Sequence, residues 1–263
     1  FKQKTAYEIS LGLVGSEMCI RDRNISIIVL DDNVATSGLK NDWGWSAYID
    51  LGDKAILFDS GTRPDVIEYN VRKLDVDLGK VVFAFLSHFH GDHYGGFKYI
   101  GNIRPGLKIY VPPGNANILR KFGLEPDVIE TPRMLMDDVW SSGCLQKSFP
   151  RIKEHALGIK IENVGIVIVV GCSHPGVDKI AERMKEITGE EIFYVVGGYH
   201  NPSRSTLDKL AKISRYMSPA HCSGDWARQY AKTKYPEKYI EIRTGTHIQI
   251  GQEGIKITNY EPS

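Results

Sequence analysis

Apolar positions along this chain follow two rhythms. Ile25–Leu30 (ISIIVL) is a β-branched run that reads as a buried strand. Trp45–Leu51 and Ala55–Asp59 are two further strands around Gly52-Asp53, a hairpin signal. Pro64 opens a helix with Val66, Ile67, Val71 and Leu74 on one face. Val81–Leu86 (VVFAFL) is continuously apolar, as expected of a strand covered on both faces. Lys108–Val111 predicts a short strand, and Ile118, Leu119 and Phe122 a helix ending at Gly123. Residues 124–153, with Pro126, Pro132 and Pro150, read as irregular.

The pattern then tightens. Val164–Val170 predicts a strand, and Val177, Ile180, Ala181, Met184 and Ile187 a helical stripe stopped by Gly189. Ile192–Val196 predicts another strand. Leu207, Leu210, Ile213 and Met217 predict a helix, and Trp226, Ala227, Tyr230 and Ala231 a second one before Pro236. Tyr239–Ile257 reads as short strands. Mixed strands and helices place the chain in the α/β (α+β layered) class, with helices outside.

Residues 1–23 break this pattern. Their apolar stretch Leu11–Val14 is short, is flanked by Glu8 and Glu17, and lacks the form of a signal peptide. The string resembles translated adaptor read-through. We expect it to be non-native and a single domain to span residues 24–263.

Composition narrows the partners. Lys+Arg number 33 against 32 Asp+Glu, a net charge of +1, so no basic field points to nucleic acid. No apolar run reaches the ~18 residues of a membrane span. Cys19, Cys144, Cys172 and Cys222 are widely spaced with no CxxC, which argues for a reducing, cytoplasmic setting rather than a disulfide framework. A small-molecule substrate is the expected partner, with no nucleic acid and no membrane; the oligomeric state stays open.

Histidine placement carries the chemistry. Ser87-His88-Phe89-His90-Gly91-Asp92-His93-Tyr94-Gly95-Gly96 follows directly on the strand at 81–86. In extended chain His88 and His90 face one side. A turn, with Gly91, Gly95 and Gly96 as its expected source of freedom, would aim Asp92 and His93 at a second nearby point. Three imidazoles and a carboxylate suit zinc, and also manganese or iron. His174, His200 and His221 each follow a strand end as well, where layered α/β proteins bind ligands. His155 and His247 keep the ordinary reading of surface or satisfied core residues.

These motifs resemble a known family. Ser-His-Phe-His-Gly-Asp-His is similar to the HxHxDH signature of the metallo-β-lactamase-fold superfamily, and Leu57-Phe58-Asp59-Ser60-Gly61 to the strand-end motif before it. Asp42-Trp43-Gly44-Trp45-Ser46, Gly171-Cys172-Ser173-His174-Pro175-Gly176, Gly197-Gly198-Tyr199-His200 and His221-Cys222-Ser223-Gly224-Asp225-Trp226-Ala227 resemble one subgroup. That subgroup is named after 7,8-dihydropterin-6-yl-methyl-4-(β-D-ribofuranosyl)aminobenzene-5′-phosphate synthase. The resemblance implies an αββα sandwich with its site at one edge of the sheets. It implies two divalent metal ions, with zinc the first expectation: His88, His90 and His174 on one, Asp92, His93 and His221 on the other. Asp59 and Glu154 are implied as supports behind these ligands, and His200 as a further candidate. Cys172 stands where superfamily hydrolases usually place a bridging aspartate. Its thiolate could bridge two metals, or the side chain could only pack, leaving the second site weaker or empty.

A two-metal centre activates water and clamps substrate oxygens, with Asp92 either a pure ligand or also the holder of that water's proton. Three functions follow. The first is an enzyme acting on a small phosphorylated, pterin-related substrate. The second is a general metallohydrolase: a lactonase, thioesterase or phosphodiesterase. The third is a non-catalytic metal-binding scaffold or sensor.

Overall fold

The computed structural model describes residues 24–147 and 151–262. Residues 1–23, on which the non-native expectation falls, lie outside the described residues.

The first half runs β1 (Ile25–Asp31), β2 (Ser46–Asp50), β3 (Ala55–Phe58), α1 (Pro64–Lys73), β4 (Val81–Phe85), α2 (Gly91–Tyr94), α3 (Phe97–Ile103), β5 (Lys108–Val111), α4 (Asn117–Lys121) and β6 (Glu125–Val128). The second runs β7 (Arg133–Met136), β8 (Val139–Ser141), β9 (Leu145–Lys147), β10 (Ile152–Glu154), β11 (Leu157–Ile161), β12 (Gly165–Val170), α5 (Val177–Thr188), β13 (Ile192–Gly198), α6 (Arg204–Ile213), β14 (Ser214–Ala220), α7 (Gly224–Lys234), β15 (Thr246–Gly251) and β16 (Gly254–Asn259). Eight strands form one sheet in the order β16-β15-β1-β2-β3-β4-β5-β6. Six form a second, β14-β13-β12-β11-β8-β7, and β9 pairs with β10 as a separate ribbon.

Alternation along the strands explains the layering. Val167 and Val169 of β12 join Ile27, Val29, Ile49, Phe58 and Phe85 in one apolar layer between the sheets. Their neighbours Ile166, Ile168 and Val170 point the other way, onto Val177, Ile180 and Met184 of α5 and Leu207 and Leu210 of α6. The first sheet does the same: Leu57, Ala84 and Leu86 back onto Ile67 and Val71 of α1 and Phe97 and Ile100 of α3. Fully burying each such side chain contributes about 1.5–3 kcal/mol. The result is the expected αββα sandwich.

Three expectations need correction. Residues 124–153 are not irregular: they hold β6 to β10, strands of three or four residues. Segments this short show no periodicity, and Pro126 sits in the edge strand β6, where a missing N–H is tolerated. Met217 does not continue the helix of Leu207, Leu210 and Ile213, because the chain turns extended at Ser214 and Met217 lies in β14. Gly95 and Gly96 do not supply unusual dihedrals, with φ −61° and −67°. They permit close approach instead: a Cβ would stand 1.9 Å from the Thr62 carbonyl oxygen at Gly95 and 2.0 Å from that of Ser60 at Gly96.

Candidate metal centre

Parallel strands deliver their C-terminal ends to one edge of the sandwich. β3 and β4 are parallel in the first sheet, and β12, β13 and β14 in the second. At those ends Asp59, Ser173, His200 and His221 adopt φ of 48°, 59°, 45° and 45°. Left-handed conformations cost non-glycine residues about 1–3 kcal/mol each and gather at functional sites. Here they swing the chain off each strand toward a common point.

Two groups of donors result. Ligand-capable atoms of His88, His90 and His174 lie within 4.8 Å of one another, as do those of Asp92, His93 and His221. His88 Nε2 and His90 Nδ1 are 3.0 Å apart. Imidazole nitrogens sharing one zinc at 2.0–2.1 Å would be separated by about 3.3 Å. Among the described residues these two groups, the ones the family resemblance implies, overlap with three others of the same closeness: His88, His93 and Cys172; Cys172, His174 and His200; and Cys172, His221 and Cys222.

Acceptors behind the histidines fix which nitrogen faces inward. His88 Nδ1 donates to Ser87 Oγ at 2.9 Å, and Ser87 Oγ donates on to Asp59 Oδ2 at 2.7 Å. His93 Nδ1 donates to the same Asp59 oxygen at 2.7 Å, while the Ser87 backbone N–H donates to Asp59 Oδ1. His174 Nδ1 donates to Glu154 Oε2 at 2.9 Å. Glu154 also accepts the backbone N–H groups of Cys172, Ser173 and His174 at 2.8, 2.7 and 2.8 Å. His221 Nδ1 donates to Asn33 Oδ1 at 3.1 Å. In all four rings Nε2 is left for the centre, the tautomer a metal ligand needs.

His221 Nε2 is buried without a hydrogen-bond partner. It lies 3.3 Å from Asp92 Oδ2, a charge contact outside hydrogen-bond geometry. A buried orphan nitrogen among carboxylate, imidazole and sulfur is what a divalent cation would satisfy, so the donor set fits such an ion.

Electrostatics agree. Burial, then the neighbouring imidazoles, push His88 well below the ordinary histidine range, and burial lowers His90 too, so both rings are neutral. Burial opposes charge on Asp92, but contact with His221 and the charge of His93 hold its carboxyl well below the usual range. Burial likewise opposes ionisation of Glu154, and His174 with the backbone donors keeps it lowered. For His93, burial disfavours the proton but Asp59 outweighs it, and its pKa rises to about 9. Burial raises the Asp59 carboxyl despite its bonds to His93 and Ser87.

Cys172 is buried, with Sγ 3.2 Å from His93 Nε2 and 3.2 Å from Cys222 Sγ. The sulfur–sulfur hydrogen bond favours the singly ionised pair, so one proton leaves easily and burial holds the second. The His200 ring stands 4.2 Å from that of His174.

His155 is core: its nitrogens meet Ser141 Oγ and the Leu86 carbonyl, its ring stacks on Phe85, and burial lowers its pKa to about 4. His247 lies in the β1–β15 ladder opposite Ile28.

Sequence reasoning missed Asp32, Asn33 and Cys222. Asp32 Oδ1 accepts the His221 backbone N–H at 2.6 Å, and its other oxygen lies 3.3 Å from Arg228. Its signal was an acidic pair, Asp31-Asp32, at the end of the buried run ISIIVL. Cys222 was visible only as the neighbour of His221.

The chain is similar to several known proteins. It is 25% identical, over an alignment 287 positions long, to the 7,8-dihydropterin-6-methyl-4-(beta-D-ribofuranosyl)-aminobenzene-5'-phosphate synthase of Methanocaldococcus jannaschii, covering 86% of this chain and 97% of that one. An uncharacterised protein of the same organism is 25% identical over 236 residues, 75% and 90% of the two chains. The crystal structure of a metal-dependent hydrolase of the beta-lactamase superfamily superposes with a TM-score of 0.73 at 23% identity, covering 86% of this chain and 99% of that one. A diphosphatase from the PhnP family superposes at 0.59, with 14% identity and coverages of 86% and 97%. The family model of the metallo-beta-lactamase superfamily matches residues 44–178, more than half of the chain, and the protein belongs to that superfamily.

Proposed function

We propose that the protein is a metal-dependent enzyme acting on a small phosphorylated, pterin-related substrate, as the name of the M. jannaschii relative describes for that protein. The observation that carries the reading is the common anchoring of Nδ1 in His88, His93, His174 and His221, which leaves four Nε2 atoms for two neighbouring donor groups. His88, His90 and His174 would hold one ion, and Asp92, His93 and His221 the other. Divalent ions there would supply Lewis acidity toward a phosphate or pyrophosphate leaving group.

The chain's own residues supply the rest. Asp59 and Glu154 orient the ligand rings. Asp92, held ionised, is too weak a base to take a proton readily, which favours its role as ligand over proton holder. Trp43 donates its indole N–H to Asp92 Oδ2 at 3.1 Å and sits 5.3 Å, ring to ring, from His221. It is 59% exposed at the lip of the centre, so its face is available to stack on a flat ring such as a pterin.

Metal analysis of protein purified without added metal, followed by a screen of pterin phosphates, phosphodiesters, lactones and thioesters, tests the reading. We expect about two ions per chain and turnover of a pterin phosphate. Turnover confined to lactones or thioesters would favour the general hydrolase. Bound ions with no turnover in any class would favour a scaffold.

A further inference from the structure

We infer that Cys172 and Cys222 are paired sulfur donors that, together with His221, hold an ion at the half of the centre that also holds Asp92 and His93, which makes that half thiophilic. The inference rests on the metal-dependent reading above.

Cys172 Sγ lies between the two donor groups. Its sulfur falls within 4.8 Å of ligand atoms of His88 and His93, and, separately, of His221 and Cys222. Its 3.2 Å contacts to His93 Nε2 and Cys222 Sγ have the scale of edges around one ion. Two sulfurs at 2.3 Å from a tetrahedral zinc would lie about 3.8 Å apart. The pair therefore needs to open by only about half an ångström, and it is far from the ~2.05 Å of a disulfide. The unpartnered, buried His221 Nε2 belongs to the same cluster.

The sheet is built to let these sulfurs meet. Cys172 follows β12 and Cys222 follows β14, and β13 lies between them. The two side chains come together across Gly198 at the end of β13. A Cβ there would stand 2.8 Å from Cys222 Sγ, 2.4 Å from the Gly171 carbonyl oxygen and 3.3 Å from Cys172 Cα. Glycine keeps open the gap that sulfur fills. Thiolate donors select zinc, ferrous iron or cobalt over magnesium and manganese.

A Cys19→Ser/Cys144→Ser background leaves only this pair of thiols. Loaded with cobalt(II), it should show a near-ultraviolet sulfur-to-cobalt charge-transfer band. Adding Cys222→Ser should remove about half of that band and replacing both sulfurs all of it, in line with one donor bond per thiolate. Without any change at the pair, iodoacetamide and intact-mass analysis should find Cys222, the more accessible of the two thiols, protected in the loaded protein and alkylated after chelation. A protein that binds two cobalt ions with no such band, or with an undiminished band in Cys222→Ser, overturns the sulfur assignment and leaves the metal-dependent reading standing. Equal alkylation before and after chelation does the same. Failure to bind any ion removes both readings.

Discussion

The two donor groups differ in what stands behind them. His88, His90 and His174 are three imidazoles, two of them kept neutral by burial and their neighbours, with Glu154 behind the third. Asp92, His93 and His221 combine a carboxylate with an imidazole that keeps its proton to about pH 9 and one whose Nε2 has no partner. The first group is preorganised to accept a cation. The second must lose a proton to do so, and it is richer in negative charge once it has. If each group holds an ion as proposed, the two sites differ in their dependence on protons.

Glu154→Gln should break the comparison most strongly. It takes charge from behind His174 and leaves at least one of three buried backbone donors facing an amide N–H. Each orphaned donor costs about 1–3 kcal/mol, and loss of such an outer partner lowers metal affinity about 10–100-fold. Ion counts and melting curves should show loss of the first group's ion, a lower melting temperature and retention of the second ion. Simultaneous loss of both would mean the centre acts as one unit.

Acid should separate the groups next. In the metal-free protein, burial works against the His93 proton and Asp59 outweighs it, raising the pKa from 6.5 to about 9. This stability is complete below pH 6.5 and is lost as pH rises through about 9. An ion must displace this proton, and a further one from any thiol still protonated that binds it, so second-group affinity should climb at least about tenfold per pH unit up to about pH 9. His88 and His90, already neutral, give the first group no such slope above neutrality. Dialysis at stepped pH with ion counting should strip one ion on acidification while the other stays. A parallel decline would erase the distinction.

Trp43→Phe should have the smallest effect. It keeps an aromatic face and removes one exposed hydrogen bond to Asp92, worth about 1 kcal/mol. We expect unchanged ion counts and a KM within a few-fold, whereas Trp43→Ala should raise KM further at constant ion content. Steady-state kinetics on a pterin phosphate with parallel metal analysis separates the two.

Much of this was legible in the sequence because signals were local. His88 to His93 sit within one heptapeptide after an apolar strand, and β12, α5 and β13 announced themselves through long apolar runs. What stayed hidden was either short or distant. β7 to β10 are too brief to show a period. Asp32 supports His221 from 189 residues away in the chain. The meeting of Cys172 and Cys222 depends on the strand order β12-β13-β14 and on the bare Cα of Gly198, which no spacing along the chain encodes. Glu154 was reached only through a family resemblance, since its contacts form once β10 and the turn at 172–174 are folded together.

His88 and His93 come from the first sheet and His174 and His221 from the second, while the sheets otherwise meet through the apolar layer of Ile27, Phe58, Val167 and their neighbours. An ion shared by both sides is a rivet through the sandwich. At a free concentration 100 times its dissociation constant, one ion adds about 2.7 kcal/mol to folding. A starved chain would keep every apolar contact yet open more often, exposing strand edges to proteases. Resistance of the folded chain to proteolysis would then rise and fall with the supply of metal.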